Sequence, residues 1–267
     1  MNETYTIRAS SFGGLFDCAY RFEGEQLMKL SRATSLRAWL GTSIHASTAA
    51  FDQAKLDGNP ISANDAADVF VQTLYEPHEA VDFKDPKLAL RDAERIGLTL
   101  HARYCAEIAP LMRYESIEMP LKRFEIDCGD GITIQLTGTM DRARVASTDA
   151  GKVIADLKTG GRLITEGVVS VKGRAAQLGT YQMLSEYTDG QKTAGAQILA
   201  LQTTSTTQVG ISKVFDAKRQ LVGTEQHPGL IEMAAKMFKA GLFPPNPQST
   251  LCDKRFCARW AACPYHE

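Results

Sequence analysis

The sequence predicts an α/β fold, a mixed central sheet flanked by helices, with a helical N-terminal region and a cysteine-rich C-terminal tail. Three observations carry that expectation. Helix-period apolar spacing dominates the first third, period-two alternation takes over after Glu115, and a helical segment then precedes a further apolar strand. With 267 residues and 44% hydrophobic content, the chain can bury a full core as one large domain with small appendages.

Phe12, Leu15, Phe16, Tyr20, Phe22 and Leu27 recur at helical spacing around Cys18, which predicts a helix over 10–30. A second helix is expected over 40–57, capped by Thr42 or Ser43, carrying His45 and ended by Gly58, Asn59 and Pro60. Helices over 62–75 and 86–108 follow, the latter opening on an Asp85 cap with Pro86 in first position. Then IEMPLKRFEID, the turn CGDG and ITIQLTGTMDRARV read as paired strands, and after a turn over 148–151 so does AGKVIADLKT. A helix over 172–187, the strand AGAQILALQT, a weaker strand over 211–215 and a helix over 229–240 come next. FPPNPQST cannot continue a helix and reads as an extended linker. The expected organisation is a helical region over 1–112, a core over 113–243 and a cysteine-rich tail over 244–267, packed together.

The start, MNETYTIRASSFGG, has no basic segment followed by an apolar core, and no run approaches the roughly eighteen apolar residues of a membrane span. A cytoplasmic protein is expected. A net charge of −1 argues against a uniformly basic DNA-coating surface, so any phosphate contacts must be local. Arg142, Arg144, Lys158, Arg162, Lys172 and Arg174 cluster in sequence, either as such contacts or as an ordinary solvated face. No GxxxxGK[ST] occurs, so the chain has no evident P-loop motor.

The chemistry centres on the stretch LTGTMDRARVASTDAGKVIADLKTG, over 136–160. Strand alternation places Asp156 and Lys158 on one face and Val153, Ala155 and Leu157 on the other, with Asp141 ending the preceding run. Two carboxylates and a lysine side by side can hold a divalent metal and activate water for phosphodiester cleavage. A lone DxK triplet, however, is common in soluble proteins.

In order along the chain, GTSIH, IEMPL, GTMDR, DLKTG and QLGTY resemble the motifs of the RecB-type nucleases of the PD-(D/E)XK superfamily, a likeness running from about residue 10 to the C-terminus. The resemblance implies a restriction-endonuclease-like core and a metal-dependent DNA exonuclease acting in recombination, repair or degradation, similar to phage exonucleases. It implies that Asp141 is the first metal-binding aspartate, although Met140 stands where the superfamily name has proline. Asp156 matches the second acidic ligand, with the Leu157 carbonyl beside it, and Lys158 the lysine that orients water or stabilises charge. His45 matches an added nitrogen ligand, and Gln177 and Tyr181 match a QxxxY motif. Magnesium or manganese suits this donor set. Gln177 and Tyr181 share one helix face, placed to support the lysine or to touch DNA. Taken singly, His45 reads as a surface or core histidine, Tyr181 as packing, and Glu118 as a strand-face charge or an assistant to the site.

The tail carries Cys252, Cys257 and Cys263 in a CxxxxCxxxxxC pattern, which in a reducing compartment favours metal or cluster binding over disulfides. Cys18 resembles the upstream cysteine that completes a [4Fe-4S] cluster in AddB nucleases, CRISPR-associated adaptation nucleases and related phage exonucleases. Zinc on the same thiolates, or plain thiols, are the other readings. Cys105 and Cys128 lie outside the pattern and read as structural. The implied partners are DNA, as single strands or duplex ends, and a helicase or recombination protein, with no membrane. A silent DNA-binding scaffold and an adaptation nuclease working with an integrase are the alternatives.

Overall fold

In the computed structural model, which describes residues 3–146, 151–204 and 206–266, the apolar runs VIADL and AGAQILAL form neighbouring strands inside a five-stranded mixed sheet. Both are covered on two faces, which is why they read as near-continuous apolar runs. The principal strands are β1 (Glu3–Arg8), β2 (Tyr114–Pro120), β3 (Phe124–Asp127), β4 (Ile132–Thr137), β5 (Thr139–Val145), β6 (Lys152–Gly160), β7 (Thr193–Gln202) and β8 (Gln208–Ile211). The sheet order is β8-β7-β6-β5-β2, with β6 and β7 parallel and the other neighbours antiparallel. A second sheet has the order β1-β4-β3, in which β1 runs parallel to β4.

The helices are α1 (Ala9–Asp17), α2 (Ala19–Phe22), α3 (Leu36–Leu56), α4 (Ala63–Tyr75), α5 (Leu90–Arg103), α6 (Ala175–Asp189), α7 (Lys218–Val222) and α8 (Leu230–Ala240). Side-chain alternation on β6 and β7 divides the interior. Ile154, Ile198 and Ala200 pack with α1, α6 and α8 on one face, whereas Ala155, Leu157, Leu199 and Leu201 pack with α3, α4 and α5 on the other. The expected α/β architecture with a mixed central sheet is therefore present.

Several boundaries differ from the sequence expectations, each for a local reason. The helix expected over 10–30 breaks at Cys18, whose extended backbone (φ −148°, ψ 98°) separates α1 from α2, and a wider π turn follows over Glu23–Leu27. Helix α3 starts earlier than 40, because Ser35 accepts the Ala38 N–H at 3.3 Å; Thr42 and Ser43 bond back to the Ala38 and Trp39 carbonyls instead of capping. The 62–75 helix is α4, closed by a reciprocal Ser62–Asp65 capping box. Helix α5 begins at Leu90, not at Pro86; the Asp85 carboxylate accepts the Lys87 N–H at 2.8 Å in a local turn and pairs with Arg37 at 2.7 Å. ITIQLTGTMDRARV splits at Gly138 into strands of different sheets; a Cβ there would sit 2.9 Å from the Tyr181 ring. Helix α6 begins at Ala175, after a Gly173 turn with φ +74°, and the strand expected over 211–215 lies at β8, with only a bridge from Phe215 to Ala196. The turn expected over 148–151 falls, but for Gly151, outside the described residues.

Helices α3, α4 and α5 meet at Gly97, where a Cβ would come within 2.1 Å of the Phe70 ring and 3.0 Å of Leu40. Since overpacking a filled core costs about 1–3 kcal/mol, Gly97→Ala is expected to lower the thermal midpoint by several degrees. An unchanged midpoint would contradict this packing.

Candidate active site

The site is made where two strands part. Antiparallel pairing of β5 and β6 runs from Val145↔Lys152 to Arg142↔Ala155 and stops there, so Asp141 and Asp156 stand next to one another where the ladder ends. In place of a ladder bond, Asp141 Oδ2 accepts the Leu157 N–H at 2.9 Å. Asp156 has no solvent exposure, and Lys158, two residues on and on the same strand face, holds its Nζ 2.6 Å from Asp156 Oδ2. The expected alternation thus delivers the acid and the lysine together.

Helix α3 brings His45 to the same place, with Nδ1 3.5 Å from Asp141 Oδ2. Its fourth residue back, Gly41, is glycine because a Cβ would lie 2.6 Å from Thr159 Oγ1 on β6. On the other side, Glu118 interrupts β2 with φ +44°, a left-handed conformation that a non-glycine residue adopts only at a conformational cost. That kink lies between the pairs Ile117↔Arg142 and Met119↔Met140 and sets the carboxylate opposite Asp141. Donor atoms of His45, Glu118 and Asp141 all lie within 4.8 Å of one another. Gln177 and Tyr181 on α6 close the site from the opposite face of the sheet to α3. Gln177 Nε2 stands 3.4 Å from both Asp156 Oδ1 and the Tyr181 hydroxyl, so this pair supports the aspartate, not the lysine.

Electrostatics follow from crowding. Desolvation pushes Glu118 up to about 7, with Asp141 and Asp156 adding repulsion. Burial likewise raises Asp156, against the pull of Lys158. Desolvation, then Arg142 and Lys158, push the His45 imidazole well below its usual range, which keeps it neutral and able to offer a lone pair. Three carboxylates therefore share one lysine and a neutral imidazole. An oxygen-rich set with one nitrogen, short of positive charge, fits a hard divalent cation. His45, Glu118 and Lys158 line an open cleft of about 840 Å³ with Ser10, Thr42 and Thr159.

Two of the clustered arginines are structural. Arg142 has no exposure and points away from the cleft: its Nε donates to Asp52 Oδ2 at 2.7 Å and its Nη2 to Thr48 Oγ1 at 3.0 Å. The Tyr104 hydroxyl also donates to Asp52, at 2.6 Å, and meets the Tyr114 hydroxyl at 2.7 Å. Arg144 is held by Gln197 at 2.8 Å. The phosphate-contact reading consequently fails for Arg142 and Arg144. Thr48 and Asp52 follow His45 by one and two turns of α3, so the Arg142 network ties the histidine-bearing helix to the strand bearing Asp141. The sequence signal for it was slight: Thr48 and Asp52 stand four apart, on one face of α3.

Comparison with known proteins bears on this geometry. A profile described as the PD-(D/E)XK nuclease superfamily matches residues 9–264. The chain belongs to the PD-(D/E)XK nuclease superfamily. Members of that family use divalent metals and act on DNA. A crystal structure of a candidate exonuclease from Eubacterium rectale is similar, with a TM-score of 0.55 and 14% identity over 91% of this chain and 84% of that one. That likeness supports the shared nuclease fold. Comparison with curated proteins gives no match. No helix among the described residues is long and apolar enough to cross a membrane.

The tail of this nuclease folds back on its N-terminus. Cys18, Cys252, Cys257 and Cys263 line one small cavity with Pro245, Asn246 and Trp260. Cys18 Sγ accepts the Asn246 N–H at 3.4 Å, and Ser249 donates to Asp17 at 2.6 Å. The Arg259 guanidinium stacks on Tyr20, 3.5 Å from the ring centre. Cys105 is buried beside His101, and Cys128 is half-buried after β3, both away from that cavity.

Breaking a buried ion pair costs about 3–5 kcal/mol, whereas replacing both partners by apolar residues is near neutral. Arg142→Met alone is therefore expected to destabilise the fold by that amount, and Arg142→Met with Asp52→Leu to recover most of it in urea denaturation. Equal stability of the single variant and the wild type would show that the pair is not what joins α3 to β5.

Proposed function

We propose that the chain is a metal-dependent DNA exonuclease of the RecB type, hydrolysing phosphodiester bonds in the recombination, repair or degradation of DNA. The observation that carries the reading is the convergence of His45, Glu118 and Asp141 beside the Asp156–Lys158 pair at the end of the β5–β6 ladder. His45, Asp141, Asp156 and the Leu157 carbonyl are the proposed metal ligands, joined by Glu118. A bound Mg²⁺ or Mn²⁺ supplies Lewis-acid polarisation of the scissile phosphate and lowers the pKa of water. The chain's own groups do the rest. Neutral His45 offers its nitrogen without first losing a proton. Lys158 is the cation placed to steady negative charge developing on the phosphate. Gln177 and Tyr181 hold Asp156 in position from α6.

The same proposal includes a [4Fe-4S] cluster on Cys18, Cys252, Cys257 and Cys263, with zinc as the alternative. The donor set is four thiols facing one cavity. A tetrahedral zinc site, with Zn–S near 2.3 Å, needs sulfurs roughly 3.8 Å apart. A [4Fe-4S] cluster takes the same four thiolates, and the preference for it over zinc rests on the family resemblance. Its role would be to join the two chain ends, since thiolate ligation contributes folding energy. Thiolate ligands and a DNA substrate both accord with a cytoplasmic location. Lacking a nucleotide-binding loop, the nuclease would rely on free ends, single strands, or a helicase or recombination protein to expose its substrate.

Asp156→Ala and Lys158→Ala are each expected to lose at least a hundredfold in Mn²⁺-dependent cleavage of end-labelled DNA while retaining a cooperative melt. Full activity in both variants would sink the assignment. Binding of DNA without metal-dependent products in the wild type would instead leave a DNA-binding module. Protein purified anaerobically is expected to be brown and to contain iron, and Cys257→Ser to lose both; stoichiometric zinc in a colourless preparation would overturn the cluster.

A further inference from the structure

A second groove, of about 820 Å³, runs between α1 and the start of α6. Ser10 lines both this groove and the catalytic cleft, so the two are contiguous. Gln177, which reaches Asp156 at 3.4 Å, is also a lining residue, so the groove leads to the carboxylate at the end of the β5–β6 ladder. Its acidic groups are already engaged. Asp17 lies 3.2 Å and Glu25 3.9 Å from Arg21, and Asp17 also accepts the Ser249 hydroxyl. Lys172 and Arg174, by contrast, have no carboxylate within ion-pair distance among the described residues. Lys172 is exposed and Arg174 half-buried on the same wall, with Gly173 (φ +74°) turning the chain between them into α6.

We propose that this groove carries one strand of DNA up to the catalytic cleft, with Lys172 and Arg174 gripping its phosphates, an inference that rests on the nuclease reading above. The chemistry recognised is a polyanionic backbone, so the grip is independent of base sequence. Arg142 and Arg144 contribute nothing to it, being occupied inside the fold. Of the six cations clustered in the sequence, the two that flank Gly173 are the ones that line this groove.

The test is binding of a fluorescent oligothymidylate of about fifteen nucleotides to the full-length protein in EDTA, by anisotropy across a salt series. Each phosphate contact to a single strand contributes about 0.7 to the slope of log affinity against log salt. Lys172→Ala with Arg174→Ala is expected to reduce the slope by about 1.4 and to weaken binding at least tenfold at low salt. Lys172→Arg with Arg174→Lys should restore both. Lys239→Ala, which removes a cation paired with Asp130 at the β3–β4 turn, should leave the slope unchanged. An unchanged slope in the double alanine variant, or an equal loss in Lys239→Ala, would overturn the groove assignment. The two readings fail separately. Wild-type protein that binds the probe with the expected slope, yet releases no products with Mn²⁺, defeats the nuclease reading alone. Wild-type cleavage with an unaltered KM in the double alanine variant defeats the strand path alone.

Discussion

Burial inside a sheet works against the charge of a carboxylate, and Lys158 at the side of Asp156 on β6 works for it. Much of the site follows from this one constraint. Because the acid and the lysine are two residues apart on a strand, they must share a face, and β5 must end its pairing just short of them to leave room. Ending the ladder frees the Leu157 N–H, which a buried backbone cannot leave unpaired, and Asp141 takes it. The second acid is therefore at once a repair to the sheet and a potential ligand. Its other neighbours, His45 and Glu118, complete a region with more negative groups than positive ones.

Behind that region sits a second charge compensation of a different kind. Arg142 is adjacent in sequence to Asp141 but faces the opposite side, where Asp52, Thr48 and the hydroxyl of Tyr104 surround it. Burial works against the charge on Asp52, and Arg142 offsets it. Since His45 is on the same helix as Thr48 and Asp52, the spacing of His45 from Asp141 is governed from beneath the sheet. Alternation along β5 thus gives one residue to chemistry and the next to its foundation.

How far the sequence disclosed this depended on how local each determinant was. The Asp156–Lys158 pairing, the apolar runs of β6 and β7 and the helix over 62–75 are encoded within a few residues, and they were legible. The early start of α3 depends on Ser35, before the apolar period begins, and the ion pair that Asp85 makes comes from Arg37, 48 residues away. Neither is visible in a local window. Glu118 was ambiguous because its orientation comes from a positive φ that no residue pattern announces. Arg142 and Arg144 looked like surface charge because a basic residue in a strand says nothing of which side it faces. Ordered motifs named the superfamily, whereas contacts at long range decided how each motif is used.

The parallel pairing of β1 with β4 has a consequence for synthesis. Glu3–Arg8 is synthesised before β2 and β3 as well as before its partner strand, so it has no ladder to join until Ile132–Thr137 has followed. The wait does not end there, because Asp17 and Cys18, immediately downstream in α1 and its break, find their partners at Ser249 and Asn246 only once α8 has been made. Assembly of the thiol-lined cavity therefore waits on the core that lies between its cysteines in the sequence.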